Sequence, residues 1–274
     1  MTQRTLAPSP YSSPPARVRA RYRSGGSLVA RALPGVVSVV VATFLWWLAT
    51  EVSDNPLIAQ FGPQYALPAI GELWRQGVLV DDILVSTSRL LVGLLVAVVV
   101  GVPFGVLLGT STLADRAARP VVSFLRMISP LAWAPIAVAL FGIGSRPVHF
   151  LVAAAAVWPI VINSAHGVRT VDQKWRTMAI SLGASRTEVL RHIVLPAASG
   201  SFLTGLRLAL GVAWIVLVPA EMLGVTSGLG YQILNSRDQL AYDQVVGVIV
   251  VIGILGFTLD WLAQRLLTPS RRDR

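Results

Sequence analysis

Residues 83–109 read ILVSTSRLLVGLLVAVVVGVPFGVLLG, and Arg89 is the one charged side chain in the run. At ~1.5 Å of rise per residue, a helix of this length exceeds the ~30 Å hydrocarbon core of a bilayer. Backbone groups in lipid must bond within their own segment or close into a barrel. The run has none of the ten-residue alternation of a barrel strand, so it is predicted to be a membrane-spanning helix. Gly93, Ala97, Gly101, Gly105 and Gly109 recur every four residues along it. That spacing lines small side chains into one stripe, where a second helix backbone can approach closely.

The rest of the chain has the same character. Of 274 residues, 54% are apolar and only 13% charged, with mean hydropathy +0.67 and no cysteine. A soluble domain carries roughly 25% charged residues to clothe its surface. The composition excludes a soluble fold, a disordered chain and a nucleic-acid-binding module, and the missing thiols exclude disulfides and cysteine chemistry. Windows of about 19 residues place six spans near 32–50, 83–109, 121–142, 148–165, 202–220 and 244–262. The fold class is therefore an all-α integral membrane protein with six transmembrane helices.

Charge orients it. Of the 23 Lys and Arg residues, 18 lie in segments on one side: six in 1–33, three in 110–126, five in 166–198 and four in 265–274. The opposite side has Arg75, Arg146 and Arg237, and most of the acids. The positive-inside rule then puts both termini in the cytoplasm, as six crossings require. Residues 1–31 and 265–274 are expected to be basic cytoplasmic tails near anionic lipid, the first disordered, flanking a membrane domain over 32–264. The polar N-terminal stretch is too long for a signal peptide, so the first span is expected to stay as an anchor.

Arg89, Arg207, Glu221 and Asp260 fall in or at the ends of spans, where a central charge costs about 2.5–3.5 kcal/mol unless it meets protein or water. Glu221 is expected near solvent at the outer end of the fifth span. Pro103, Pro130 and Pro135 remove backbone donors and should bend the second and third spans. Trp46, Trp47, Trp74, Trp158 and Trp261 read as interfacial anchors. The Gly142/Gly144 and Gly228/Gly230 pairs read as turns.

Much chemistry is missing. No G-x-x-x-x-G-K-[ST] loop precedes the single lysine, Lys174, so the chain is not expected to hydrolyse ATP. His149, His166 and His192 lack metal-ligand spacing, and no metal or cofactor of its own is expected. Neither a nucleophile elbow nor an intramembrane carboxylate pair is evident, so no catalytic residue is expected.

Between the fourth and fifth spans lies a connection, 166–198, far longer than a helical bundle needs. Asp172 can cap a helix through Trp175, Met178 and Leu182, which Gly183 breaks. Ser185 and Glu188 form an S-x-x-E capping box for a second helix ending at Pro196. The result is a cytoplasmic helix-turn-helix knob with the mixed faces of a protein-docking element.

Thr177-Met178-Ala179-x-x-x-Gly183, then nine residues, then Ile193-Val194-Leu195-Pro196 resembles the E-A-A-x-x-x-G-x9-I-x-L-P loop of the permease subunits of bacterial ABC importers. Thr177 and Met178 replace the first Glu and Ala, which removes docking through that carboxylate. The likeness runs from Ser86 to Asp260. Ser129-Pro130-Leu131-Ala132-Trp133, Trp158-Pro159-Ile160-Val161-Ile162-Asn163, Thr204-Gly205-Leu206-Arg207, Ala220-Glu221-Met222-Leu223 and Thr226-Ser227-Gly228-Leu229-Gly230-Tyr231 are similar to blocks of the nitrate, sulfonate, taurine and bicarbonate branch. The resemblance implies a type I, MetI-like importer permease fold in which 166–198 carries a coupling helix seated on an ATPase subunit. The coupling residues it implies are Thr177, Ala179, Gly183, Ala184, Ser185, Glu188, Ile193, Leu195 and Pro196. It further implies a small anionic substrate, an extracytoplasmic solute-binding protein, ATP and Mg held by partner ATPase subunits, and a second permease copy. An anion leaving water needs replacement donors, so Ser129, Trp133, Asn163 and Arg207 are expected near its path. The rival reading is an ATP-independent secondary transporter or channel.

Overall fold

A computed structural model describes residues 28–267, and among these the secondary structure is entirely helical. Twelve α-helices follow in order: α1 Leu28–Glu51, α2 Pro56–Ala59, α3 Pro63–Arg75, α4 Val78–Thr110, α5 Thr112–Met127, α6 Ala134–Phe141, α7 Ser145–Thr170, α8 Gln173–Ser181, α9 Arg186–Val189, α10 Leu195–Glu221, α11 Leu229–Asp238 and α12 Tyr242–Leu267. A 3₁₀ turn, Pro130–Trp133, precedes α6, and a π-helical turn, Leu190–Val194, joins α9 to α10. The tails expected over 1–31 and 265–274 lie outside the described residues, except that α1 begins at Leu28 and α12 runs to Leu267. The chain divides into two units, 1–45 and 46–274. In the first, α1 carries Pro34, whose carbonyl accepts from the Ser38 hydroxyl at 2.8 Å.

Five helices are long and apolar enough to cross a membrane, and a bent pair brings the number to six. That pair corrects the third span. Instead of one helix over 121–142, α5 and the Pro130–Phe141 segment meet at 86° across a break at Ile128 and Ser129. The cause is the one the prolines announce: Pro130 and Pro135 have no amide to donate, so each is accepted only at the start of a helical segment. Ser111 starts α5 by accepting from the Ala114 amide at 3.2 Å.

The bundle is built on α7, which packs against α4 on one side and α10 on the other. The small-residue stripe of α4 makes the first contact. A Cβ on Gly105 would lie 2.5 Å from the Ser164 Cβ and 2.6 Å from the Val161 carbonyl, and one on Gly93 would lie 2.6 Å from Val152. Only hydrogen fits there. Gly167 and Gly205 let α7 and α10 close in the same way, against Ser201 and Asn163. Leu90, Ala97, Leu151, Ile160, Ala209 and Leu217 lie in the resulting core.

A second core forms at the end of the bundle where α4 begins. The amphipathic α3 presents Ala66, Ala69 and Leu73 on one face, and Leu73 meets Leu79, Leu229, Val248 and Val251. The helices α2, α3 and α11 fold within connections that the hydropathy windows leave unassigned.

Candidate functional site

Three features of the bundle bear on function. The first is a buried polar knot at the end of the bundle that carries Asp82, Ser145 and Glu221. Asp82, Ser86 and Arg89 sit at i, i+4 and i+7, so they continue the small-residue stripe of α4 and are buried with it. Arg89 donates from Nη1 to Glu221 Oε1 at 2.9 Å and to the Ser227 carbonyl at 2.7 Å. Its Nη2 donates to Ser227 Oγ at 2.9 Å, and its Nε to Ser145 Oγ at 3.0 Å. The Ser86 hydroxyl donates to both Glu221 oxygens at 2.9 Å and accepts from the Leu229 amide at 2.9 Å. The Gly230 amide donates to Glu221 Oε2 at 3.0 Å, and the Gly228 amide to Asp82 Oδ1 at 2.7 Å.

Glu221 is 0% exposed, which corrects its expected place near solvent. The apolar span ends there by hydropathy, but the 225–230 loop folds back over the helix end and supplies donors that replace water. The loop gets close because it has glycine where it touches. A Cβ on Gly228, at φ +100°, would stand 2.5 Å from Glu221 Oε1, and one on Gly230 would strike the Val218 carbonyl. Two carboxylates, Asp82 and Glu221, thus enter one buried network, which the sequence did not reveal. The available signal was the register of Asp82, Ser86 and Arg89 with the glycine stripe.

The second feature is a pair of adjoining cavities beside the broken third span. One, of about 220 Å³, is lined by Ile128, Pro130, Trp133, Phe150 and Trp158. The other, of about 500 Å³, is lined by Ile128, Pro130, Trp158, Asn163, Arg126 and Leu208, among others. The structure therefore brings Trp133 and Asn163 to neighbouring walls, with Trp158 on both rather than only at an interface. Ser129 stands at the break itself, one residue before Pro130. Asn163 spends its Nδ2 on the Pro159 carbonyl at 2.8 Å, within its own helix. Arg207 is not on these walls; its Nε lies 3.6 Å from Asp260 Oδ1 on α12.

The third feature is the knob. Asp172 caps α8 by accepting from the Lys174 amide at 2.9 Å, and Gly183 ends it at φ +89°. The capping box forms as read: Ser185 Oγ accepts from the Glu188 amide at 3.3 Å, and Glu188 Oε2 accepts from the Ser185 amide at 2.8 Å. The second helix, however, does not end at Pro196. The amide of Leu195 reaches back five residues to the Leu190 carbonyl, and this π turn carries the chain past Pro196 directly into α10. Val189 and Val194 are buried against Val168 and Ala198, with Ala179, Ala184, Leu190 and Ile193 packed around them. Thr177 and Glu188 face outward, as do Trp175, Met178 and Leu182, the last 82% exposed. The knob is thus anchored through the apolar positions of its motif and presents bare apolar side chains on its free face.

A polytopic helical bundle with a cavity beside a broken span and an anchored knob at one end defines a membrane transport component. The chain belongs to the family described as "Binding-protein-dependent transport system inner membrane component", which it matches over residues 101–272. It is 35% identical to the taurine transport system permease protein TauC of Escherichia coli, over 84% of this chain and 86% of that one. It is 30% identical to the nitrate import permease protein NrtB of Leptolyngbya laminosa, over 90% of this chain and 92% of the relative. The bicarbonate transport system permease protein CmpB of Synechococcus elongatus is 36% identical over 66% of this chain and 67% of its own length. Among solved structures, a chain of the MetNI methionine ABC transporter in an inward-facing conformation superposes with TM-score 0.61 at 19% identity. It covers 69% of this chain and 94% of its own, and shows the fold. The protein is an ABC importer permease subunit of the type I fold, and transport without ATP is not favoured.

Proposed function

We propose that this permease forms the membrane path for a small anion, in the class of nitrate, sulfonate, taurine or bicarbonate, delivered by an extracytoplasmic binding protein. ATP and Mg are bound and used by separate ATPase subunits, and a second copy of the chain completes the path. The relatives named for taurine, nitrate and bicarbonate support the substrate class. In this reading both termini are cytoplasmic, the end with α8 and α9 faces the ATPase, and the knot around Glu221 lies on the outer side.

The observation that carries it is the knob. Trp175, Met178 and Leu182 are exposed on a base whose second helix runs without interruption into α10. An apolar face on a rigid stem fits a groove in an ATPase subunit, and closure of the ATPase dimer then shifts the permease between outward-open and inward-open states. Ala179, Ala184, Ile193, Leu195 and Pro196 shape the stem and Gly183 its turn; Thr177 lies on the exposed face of α8, and Ser185 and Glu188 at the exposed start of α9. Trp133, Asn163, Ser129 and, further off, Arg207 supply donors near the path.

The test is uptake in cells carrying the binding protein, the permease and either the active ATPase or a catalytically dead one. Uptake is expected only with the active ATPase; persistent uptake with the dead one overturns the reading. Gly183→Pro is expected to leave membrane insertion intact while substrate stimulation of ATP hydrolysis is lost.

A further inference from the structure

Beside the Asn163 cavity lies a smaller one, of about 200 Å³, whose polar lining is Asp115, Arg119, Ser123, Arg126 and Arg169. Asp115, Arg119 and Arg126 fall at i, i+4 and i+11 of α5, one face of that helix, and Arg169 comes from the end of α7. The charges do not balance: three guanidiniums meet one carboxylate. That carboxylate is already shared, with Oδ2 at 2.8 Å from Arg119 and Oδ1 at 2.6 Å from Arg169. Arg169 also donates to the Leu108 carbonyl at 2.9 Å. Among the described residues Arg126 has no carboxylate partner, and it lines both this cavity and the 500 Å³ one that holds Asn163 and Trp158.

We infer that Arg126, with Ser123 and the Arg119–Asp115–Arg169 frame, is a binding site for a small oxyanion at the knob-facing mouth of the translocation cavity. A guanidinium fork beside a hydroxyl matches two oxygens of a planar or tetrahedral anion. Two further guanidiniums raise the local anion concentration, while Asp115 holds them in place and keeps the site from binding too tightly to release. The role of Asp115 is thus to set the geometry, and that of Arg126 to meet the anion. The inference rests on the permease reading for what passes the site, but not for whether the site binds.

The chain has no cysteine, so Val122→Cys places its sole thiol on the wall of this cavity and leaves Ser123 and the arginines in place. In the purified full-length chain in neutral detergent, the rates of labelling by an anionic and a cationic methanethiosulfonate are compared, with Ser181→Cys on the knob as the reference thiol. The ratio of anionic to cationic rates is expected to exceed that at the reference position. Adding Arg126→Gln should lower it roughly tenfold, the scale of one charge in a partly screened cleft, and Arg126→Lys should restore most of it. Nitrate or sulfate should slow anionic labelling saturably, beyond gluconate at equal ionic strength, and only when Arg126 is present. A ratio unmoved by Arg126→Gln, or no protection beyond gluconate, overturns the site. Protection by phosphatidylglycerol but not by nitrate or sulfate would assign these arginines to lipid headgroups and likewise overturn it. If uptake proves independent of the ATPase while this protection holds, the failure is of the importer reading and not of the site.

Discussion

Glu221→Leu tests whether the knot is a single buried unit. The substitution takes the charge partner of Arg89, whose side chain is 4% exposed against 0% for Glu221. It also strands the Ser86 hydroxyl and the Gly230 amide, which donate to the same carboxylate. Removing one member of a buried pair costs about 3–5 kcal/mol, because the other charge stays desolvated. The Arg89 guanidinium keeps Ser227 and Ser145 as partners, so about 3 kcal/mol is the figure expected. Arg89→Leu leaves the acid buried, with Ser86 and Gly230 still donating, and should cost a similar amount. The double variant removes both charges and fills the space with apolar atoms, and should cost about 2 kcal/mol or less. Reversible unfolding of the purified chain in mixed neutral and anionic detergent micelles gives the three values and the coupling energy. Single costs under about 1 kcal/mol, or a double cost equal to the sum of the singles, would refute the reasoning, since both require that the charges are hydrated or independent.

Three other outcomes follow from geometry already described. Gly105→Val should cost about 1–3 kcal/mol by overpacking, because its Cβ would stand 2.5 Å from Ser164; the same micelle unfolding measures it, and no loss would mean that α4 and α7 are further apart. Ser185→Ala should cost about 1 kcal/mol locally by removing the capping box, seen as faster amide exchange confined to the Arg186–Val189 turn. Arg207→Ala breaks a half-exposed 3.6 Å pair, worth about 0.5 kcal/mol or less. It should therefore leave stability unchanged while slowing anion uptake, and uptake at normal affinity and rate would remove Arg207 from the path.

Length and hydropathy made the membrane helices legible, because a span must be long, apolar and internally bonded whatever it packs against. The partner of a glycine stripe is a different matter: Gly93 to Gly109 announced a close contact, but only the fold says that α7 fills it. Asp172, Gly183, Ser185 and Glu188 were readable since caps and turns act within a few residues. Pro196 reads as a stop, yet it stands in the first turn of α10, where its missing amide is tolerated, directly after a π turn that no residue type demands. Glu221 reads as solvent-facing, but its donors are Arg89, Ser86 and the Gly230 amide, and burial of a charge depends on partners distant in sequence. The cavity beside α5 and α6 depends on an 86° turn whose proline cause was visible and whose direction was not.

The unbroken helix from Arg186 to Glu221 is 36 residues, roughly 54 Å at ~1.5 Å per residue. Its far tip is pinned by Arg89 and its near tip carries the knob's second turn. In the proposed reading a push on the knob turns this rod about its pinned tip, and because Val189 and Val194 are buried with Val168 of α7, the end of α7 is carried with it. In that reading displacement is then greatest at the knob end and dwindles toward the Arg89 end, so the mouth near Arg126 and Arg169 is the aperture that a push on the knob would change most.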